Sequence, residues 1–231
     1  VMALDASGCA VLNADDDRVR AMQSTTDARV ITYGVALSAD VRMTSCVLDE
    51  RACASVTIES PWGRASWKMN VPGEHMAHNA VGAIAVAGVM GLDLQRAADA
   101  ISMSVLSEMR MQHRTARGGA LIIDDSYNAN PASMAAALHA LNATKASRRI
   151  AVLGVMAELS EPDQDHLQIS GLAKQLGIEL IAVETDLYEV QSRTRDEVVA
   201  MLATVENTAT ILIKGSRVAQ LEKLVAMLAT P

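Results

Sequence analysis

Basic residues are scarce in this sequence. It contains 20 Lys and Arg residues against 27 Asp and Glu residues, which gives a formal net charge of −7. A surface that binds the phosphates of DNA or RNA needs a concentrated patch of Lys and Arg, and the longest basic cluster is the brief "SRRI" around Arg148. The composition therefore argues against a nucleic-acid partner.

The sequence also contains few cysteines and few long apolar runs. Cys9, Cys46 and Cys53 form neither a CxxC pair nor a dense disulfide pattern, which is typical of thiols in a reducing compartment. The most apolar stretch, residues 80–92, is shorter than the ~20 residues that a membrane-spanning helix requires. The N-terminus lacks the basic start of a signal peptide. We expect a cytoplasmic protein without a membrane segment.

What the sequence does contain is enough apolar material for one or two folded domains, since half of its 231 residues are hydrophobic. From about Gly119 onward, the short apolar runs "ALII", "RIAVLG", "ELIAV" and "TILIKG" alternate with segments of helical periodicity. This βα repeat predicts an α/β fold with a mostly parallel sheet that is covered on both faces, and a ligand site at the carboxyl ends of its strands. The buried stripe of the last predicted helix contains Val218, Leu221, Val225 and Leu228.

The first part of the chain has a more mixed pattern. "GCAVLNADDDRVRAM" predicts a strand, an acidic turn and a helix, with residues 13–17 acting as a turn and helix cap rather than as a metal site. Residues 40–71 are typical of several antiparallel strands, and the apolar "AHNAVGAIAVAGVMG" predicts a buried helix that a second helix follows. The segment "LSEMRMQHRTARGG" has little periodicity and is interpreted as a linker or as the lead-in to the second domain. We place the domain boundary near Ser107.

The segment "DDSYNANP", from Asp124 to Pro131, lies where a predicted strand gives way to a helix. Asn130 followed by Pro131 is typical of a helix N-cap. A carboxylate at the end of such a strand can accept hydrogen bonds from both hydroxyls of a sugar diol. The alternative is a capped turn without a ligand, and Asp124 in particular is open to a purely structural role.

Five features occur in a characteristic order and spacing: "PGEHMAHNAVGAIAVAG", "DDSYNANPASMAAAL", "AVLGVMAEL", His166 and "LIKGSR". In these features the chain resembles the Mur ligase family. Members of that family have a domain for a UDP-sugar, a central ATPase domain and a C-terminal Rossmann-like domain. The resemblance implies that residues 1–107 are the C-terminal part of the central ATP-binding domain and that residues 108–231 are the Rossmann-like ligase domain.

The resemblance also implies an activity. It points to an ATP-dependent ligase that uses Mg²⁺ and adds D-alanyl-D-alanine to UDP-N-acetylmuramoyl-tripeptide through an acyl phosphate, in peptidoglycan precursor synthesis, as a monomer. The sequence contains no G-x-x-x-x-G-K-[ST], the motif that cradles ATP phosphates, so we expect the isolated chain to be inactive. A non-catalytic fragment or binding module is the main alternative. A dinucleotide-dependent oxidoreductase is disfavoured, because no G-x-G-x-x-G follows any predicted strand.

By resemblance, an implied ATP site is assigned to five residues, namely His75, Asn79, Arg110, Asp125 and Asn128. The carboxamide of Asn79 presents a donor and an acceptor, which matches the adenine N6/N7 edge, whereas Asp125 matches the family's ribose-binding carboxylate. Met76 stands in place of a family asparagine and cannot form that asparagine's hydrogen bonds. The alternatives are a helix-start role for Asn79 and plain surface solvation for Arg110.

Implied substrate contacts are Tyr127, Asn130, Lys214, Ser216 and Arg217. "KGSR" follows a strand and is predicted to open the last helix, so backbone N–H groups, the positive helix end, Lys214 and Arg217 would all favour a carboxylate. Val155 occupies a position at which relatives carry an acidic residue. His166 is interpreted as a helix-face residue rather than as a catalytic base, and no catalytic residue is assigned.

Overall fold

The computed structural model of the chain describes residues 1–104 and 107–230. Contacts between residues divide the chain into two compact units. The first comprises Val1–Asp49, Cys53–Asn70 and Glu74–Ser104, and the second comprises Glu50–Ala52, Val71–Gly73 and Val105–Pro231. The boundary near Ser107 stays a prediction, because the neighbouring residues Val105 and Leu106 lie outside the described residues.

The first unit is a five-stranded sheet with three helices. Its elements are β1 (Cys9–Asn13), α1 (Asp17–Ala21), β2 (Arg29–Gly34), β3 (Val41–Leu48), β4 (Cys53–Ser60), β5 (Gly63–Pro72), α2 (Glu74–Val89) and α3 (Leu94–Met103). The strands lie in the order β1-β2-β3-β4-β5; β1, β2 and β3 pair in parallel, and β3 pairs antiparallel with β4. The predicted strand, turn and helix at the start of the chain are confirmed. The predicted cap is Asp16, whose carboxylate accepts from the first N–H groups of α1.

Helix α2 packs on β1, β2 and β3 through small side chains. Its buried face contains Ala77, Ala80, Val81, Ile84, Ala85 and Gly88. Gly88 allows a close approach, because a β-carbon at that position would collide with the Trp62 ring. The prediction that the whole segment is buried is wrong, since Val86 and Met90 are exposed. The buried face of an all-apolar helix cannot be predicted from its sequence, because the hydrophobicity does not vary around the helix.

The second unit is a six-stranded sheet with helices on both faces. Its elements are β6 (Gln112–Thr115), β7 (Leu121–Asp125), α4 (Pro131–Asn142), β8 (Arg149–Leu153), α5 (Pro162–Gln175), β9 (Glu179–Val183), β10 (Ser192–Arg193), α6 (Arg195–Leu202), β11 (Thr210–Lys214) and α7 (Glu222–Leu228). The strand order is β10-β9-β8-β11-β7-β6, and every pairing is parallel except that of β6 with β7. The predicted mostly parallel sheet is confirmed.

Two details of the second unit differ from the sequence-based predictions. The segment interpreted as a linker or as the lead-in to the second domain contains the strand β6, which was not predicted; its Gln112 pairs with Asp124 and its Thr115 pairs with Leu121. This edge strand is polar and short, so it carries no alternating hydrophobic signal. The last helix does not begin at "KGSR": a single 3-10 turn occupies Arg217–Ala219, and α7 begins only at Glu222.

The helices of this unit pack in pairs, α4 against α5 and α6 against α7. Crossovers between parallel strands are right-handed, which places the first pair on one face of the sheet and the second pair on the other. The predicted stripe of the last helix is buried at Leu221, Val225 and Leu228, but Val218 lies in the 3-10 turn and is 68% exposed. Among the described residues, no helix is long and apolar enough to cross a membrane.

Candidate functional site

A polar cavity lies at the carboxyl ends of β7, β8 and β11. Strand β11 lies between β8 and β7, and the chain leaves β7 and β11 toward helices on opposite faces, so this edge is a topological switch point. The cavity has a volume of about 380 Å³. It is lined by Tyr127, Asn128, Ala129, Asn130, Ala157, Glu158, Leu159, Ser216, Arg217 and Val218. Such a crevice is where the βα pattern predicts a ligand site.

A buried ion pair joins the ends of β7 and β11 beneath this cavity. Lys214 Nζ donates to Asp125 Oδ2 at 2.5 Å and to the Asn128 carbonyl at 2.9 Å, and the Met111 N–H donates to Asp125 Oδ1 at 3.1 Å. The side chains of Lys214 and Asp125 are 3% and 13% exposed. Burial raises the pKa of Asp125, and the nearby Lys214 charge opposes this rise. Lys214 therefore holds Asp125 and the following turn in place, and its ammonium does not line the cavity.

Asp124 points to the opposite face of β7, as strand alternation requires. Its Oδ1 accepts from the Ser126 N–H at 3.2 Å and from the Ser126 hydroxyl at 2.6 Å, and its Oδ2 lies 3.7 Å from Arg114 Nε. Burial raises the pKa of Asp124, although its bonds with Ser126 oppose the rise. These contacts give Asp124 the structural role that the sequence left open.

The turn that follows β7 ends in a capping box. Asn130 Oδ1 accepts from the Ser133 N–H at 2.8 Å, and the Asn130 N–H donates to Ser133 Oγ at 3.1 Å. Pro131 is the first residue of α4, where its missing N–H costs nothing. The predicted N-cap is confirmed.

We expect Asn130→Ala to lower the free energy of unfolding by about 0.5–2 kcal/mol, because it removes the side-chain acceptor for an N–H in the first turn of α4. Asn130→Ser is the matched control, since serine is also a strong N-cap and should remain near the parent. Urea unfolding monitored by circular dichroism measures both values. Equal stability of the alanine and serine variants would contradict the assigned cap.

Arg110 and Tyr127 stack at one side of the turn. The Arg110 guanidinium carbon lies 4.2 Å from the centroid of the Tyr127 ring, and the Tyr127 N–H donates to the Met109 carbonyl at 3.1 Å. Arg217 reaches the same segment, with Nη1 3.2 Å from Met109 Sδ. A cation–π contact of this kind contributes roughly 0.5–1 kcal/mol at an exposed site. Tyr127 and Arg217 thus line the cavity, whereas Arg110 contacts it only through its stack on Tyr127.

The loop after β8 forms the opposite wall and is held by backbone hydrogen bonds. The Val155 carbonyl accepts from the Ser216 N–H at 2.9 Å and from the Ser216 hydroxyl at 2.8 Å. The Met156 N–H donates to His166 Nε2 at 2.9 Å, and the Tyr188 hydroxyl donates to the Gly154 carbonyl at 2.8 Å. The bonds to Val155 use its carbonyl alone, so the replacement of an acidic side chain at this position leaves them intact.

His166 and Tyr188 are fully buried behind this wall. Because His166 Nε2 accepts from Met156, the proton lies on Nδ1, which is 2.5 Å from the Pro162 carbonyl. The two rings meet edge to face with centroids 4.9 Å apart, and burial raises the pKa of Tyr188. The prediction that His166 is a helix-face residue is confirmed, on the inward face of α5. Tyr188 was not predicted, since it belongs to no motif.

The candidate residues of the first unit lie at the start of α2. His75 and Asn79 are one helical turn apart, and Asn79 Nδ2 approaches Met76 Sδ at 4.0 Å. His78 lies on the same turn, with Nδ1 3.7 Å from Asp15 Oδ2. Asn79 is exposed and is the sixth residue of α2, which begins at Glu74, so it does not serve as the N-cap. No group of three metal-ligating side chains occurs among the described residues of either unit.

The sheet order and the cavity at its switch point define the second unit as a Rossmann-like ligand-binding domain. Family models match both parts of the chain: the Mur ligase middle domain matches residues 1–87, and the Mur ligase glutamate ligase domain matches residues 109–217. The chain belongs to the Mur ligase family.

Individual relatives agree with this assignment. The chain is 40% identical over 184 residues to the UDP-N-acetylmuramoyl-tripeptide–D-alanyl-D-alanine ligase of Mycobacterium tuberculosis, in an alignment that covers 77% of the chain and 36% of the relative. MurF from Acinetobacter baumannii has a similar structure, with a TM-score of 0.85 and 24% identity over 96% of this chain and 52% of that one. The Thermotoga maritima MurF ligase in complex with ADP has a TM-score of 0.83 at 18% identity, over 96% and 53% of the two chains. The chain thus spans from about a third to about half the length of these proteins.

Proposed function

We propose that this chain forms part of an ATP-dependent ligase that adds D-alanyl-D-alanine to UDP-N-acetylmuramoyl-tripeptide in the cytoplasm. One observation carries the proposal: segments 127–130, 157–159 and 216–218, which are far apart in sequence and belong to three of the resemblance-bearing motifs, line one cavity. The named activity of the M. tuberculosis relative supports it. We assign residues 1–107 to the central ATP-binding domain and residues 108–231 to the ligase domain. The monomeric state stays a prediction.

For ATP we propose His75 and Asn79 in the first unit and Arg110, Asp125 and Asn128 in the second. The fit of Asp125 to a ribose is favourable, because an ionised carboxylate has about four acceptor sites and the Met111 N–H and Lys214 occupy one each. The ADP-bound structural neighbour supports the choice of nucleotide. The chemistry that ATP supplies is activation of the tripeptide's terminal carboxylate as an acyl phosphate.

For the dipeptide we propose the rim formed by Tyr127, Asn130, Ser216 and Arg217. The Arg217 side chain is 59% exposed, and a guanidinium donates in a fixed fork that suits a carboxylate. Lys214 uses two of its three donors on Asp125 and the Asn128 carbonyl, and its side chain is buried, so we propose that it acts on the dipeptide site indirectly, by holding the turn that carries Tyr127 and Asn130.

We propose that the ligase uses Mg²⁺ together with ATP, as a counter-ion of the ATP phosphates. The described residues contain no cluster of His, Cys, Asp or Glu side chains that fits a metal ion. We therefore assign no metal ligand to the described residues of this chain, and we propose that the ion would be held by residues in the part of the relatives that this chain does not cover. The residues of this chain bind and orient the nucleoside and the dipeptide.

The proposal is tested by joining the chain to the upstream half of the M. tuberculosis relative. We expect the joined protein to release phosphate only when ATP, the tripeptide substrate and D-alanyl-D-alanine are all present, whereas the isolated chain releases none because its sequence has no phosphate-binding loop. Asp125→Asn should raise the KM for ATP roughly 5- to 100-fold, the loss of a charge-assisted hydrogen bond, with a smaller effect on the KM for the dipeptide.

The controls separate the alternatives. The relative's own halves, rejoined through the same junction, measure how much activity the junction itself removes. The Asn130→Ser variant measures the effect of a change in the turn that keeps the helix cap. A folded joined protein that binds ATP but gives no dipeptide-dependent turnover, beside an active rejoined relative, would favour the non-catalytic fragment. An unchanged KM for ATP in Asp125→Asn would remove Asp125 from the nucleotide site.

A further inference from the structure

Two charged side chains of opposite sign line the cavity at the strand ends. Among the described residues that line it, Glu158 is the single acid and Arg217 is the single base. Glu158 lies in the loop after β8, and Arg217 lies in the 3-10 turn after β11. The dipeptide rim of the proposed function contains the base alone, so the acid has no role there.

Glu158 has no structural explanation within the chain. Its side chain is exposed and makes no hydrogen bond or ion pair with any residue that the structure describes. Its backbone is left-handed, with a φ of 61°, a conformation that favours Gly or Asn over a residue with a long side chain. A strained residue of this kind at the wall of a cavity is typical of a functional position.

Arg217 keeps free donors although it has neighbours. Its Nη1 lies 3.2 Å from Met109 Sδ and 4.0 Å from Glu222 Oε1. Both contacts involve Nη1, and neither Nε nor Nη2 makes a hydrogen bond with a residue in the described part of the chain. These two groups can therefore donate to a carboxylate in the cavity while Nη1 keeps its neighbours.

The cavity also offers apolar surface. Ala129, Ala157, Leu159 and Val218 contribute small or aliphatic side chains to its lining. They provide packing surface for methyl groups and no polar side-chain partner. The volume of about 380 Å³ lies within the range of small-molecule sites. The lining thus matches the two charges and two methyl groups of the dipeptide, and its two charged residues distinguish the ends of that ligand.

We propose that Glu158 binds the ammonium group of D-alanyl-D-alanine and thereby determines the direction in which the dipeptide lies. The carboxylate lies against Arg217. The reverse direction would bring the carboxylate to Glu158 and the ammonium to Arg217, and both contacts would be repulsive. The role of Glu158 rests on the proposed function, because that function makes the dipeptide the ligand of this cavity.

The direction of the dipeptide has a consequence for the reaction. The nucleophilic nitrogen lies beside residues 157–159, so the activated tripeptide must be brought to that wall of the cavity. An amine attacks only after it has lost its proton, and a paired carboxylate favours the protonated form. Glu158 is therefore a residue that selects and orients the free amine, and it is not a general base.

The test is an NMR titration of the whole ¹⁵N-labelled chain with D-alanyl-D-alanine. We expect saturable shifts in the amides of Glu158, Leu159 and Val218 at up to about 20 mM dipeptide, the weak end of small-ligand affinity. N-acetyl-D-alanyl-D-alanine lacks the ammonium group, and D-alanyl-D-alanine amide lacks the carboxylate. Each should bind roughly 3- to 10-fold more weakly, the usual effect of losing one solvent-accessible charge pair.

Glu158→Gln removes the charge and keeps the shape of the side chain. In this variant the free and acetylated dipeptides should bind within about 2-fold of each other, whereas the amide should remain as disfavoured as in the parent. Glu161→Gln is the matched control and should behave like the parent, because Glu161 is a nearby exposed glutamate that does not line the cavity. A thermal melt checks the folding of both variants.

The outcomes separate the role of Glu158 from the proposed function. If the parent chain shows no saturable shift at the cavity, the dipeptide site of the proposed function is overturned and the role of Glu158 with it. If the parent binds the dipeptide but Glu158→Gln still prefers the free over the acetylated form as strongly as the parent does, that preference is steric. The role of Glu158 is then overturned, whereas the dipeptide site stands.

Discussion

Replacing Lys214 by methionine is expected to lower the free energy of unfolding by about 3–5 kcal/mol, the usual cost of leaving one partner of a buried ion pair without the other. The Asp125 carboxylate would keep the Met111 N–H but lose the ammonium that lies 2.5 Å from it. The Asn128 carbonyl would lose a donor as well. Methionine retains most of the apolar stem, so the loss arises from the charge and not from packing.

The effect of this variant should depend on pH in a defined direction. Burial already raises the pKa of Asp125 above its ordinary value, and removal of the opposing Lys214 charge raises it further. A raised carboxyl pKa means that the folded protein binds the proton more tightly than the unfolded chain, so stability falls as the pH rises from the ordinary Asp pKa through the raised one. The deficit of Lys214→Met relative to the parent should therefore shrink on acidification.

Urea unfolding at several pH values measures this prediction. The double variant Lys214→Met with Asp125→Asn should recover part of the loss, because no buried charge is left unpaired. Lys145→Met is the matched control: its ion pair with Glu50 is fully exposed, and its removal should change stability little. A Lys214→Met protein as stable as the Lys145→Met protein at neutral pH would show that the pair contributes nothing.

The ion pair between Asp125 and Lys214 shows which part of the site could be predicted from the sequence and which could not. Asp125 and Lys214 could each be placed at the end of a predicted strand, because "ALII" and "TILI" are apolar runs followed by polar residues. Their contact could not be predicted, because it depends on β11 lying beside β7 in the sheet, and strand order is a property of the whole fold. Lys214 was accordingly assigned to a substrate carboxylate, whereas in the structure its first partner is Asp125.

Other differences have similarly local causes. The capping box at Asn130 was predictable, since the cap and its proline are adjacent in sequence. The late start of α7 at Glu222 could not be predicted. Gln220 adopts a left-handed conformation with a φ of 48°, which the sequence of a glutamine does not indicate. The helix-face position of His166 was predicted, but the hydrogen-bond partners of His166 and Tyr188 could not be, because a buried hydrogen-bond network is specified by tertiary neighbours.

The second prediction concerns the stability that the hydrogen bonds of His166 and Tyr188 provide. His166→Leu should lower the free energy of unfolding by about 1–3 kcal/mol, because it leaves the buried Met156 N–H without its acceptor, and an unsatisfied buried group costs about this much. Tyr188→Phe removes only the bond to the Gly154 carbonyl and should cost about 1–2 kcal/mol. His139→Leu, a change at an exposed position of α4, is the matched control and should have little effect.

A local measurement distinguishes this role from general core packing. Hydrogen exchange of the Met156 amide should accelerate in His166→Leu by more than that of amides in the middle of β8, because the loop loses its anchor while the strand keeps its ladder. Tyr188→Phe should accelerate the same loop less. If Met156 remains as protected as the β8 amides in His166→Leu, the wall of the cavity is held by the Ser216 bonds to Val155, and His166 contributes packing alone.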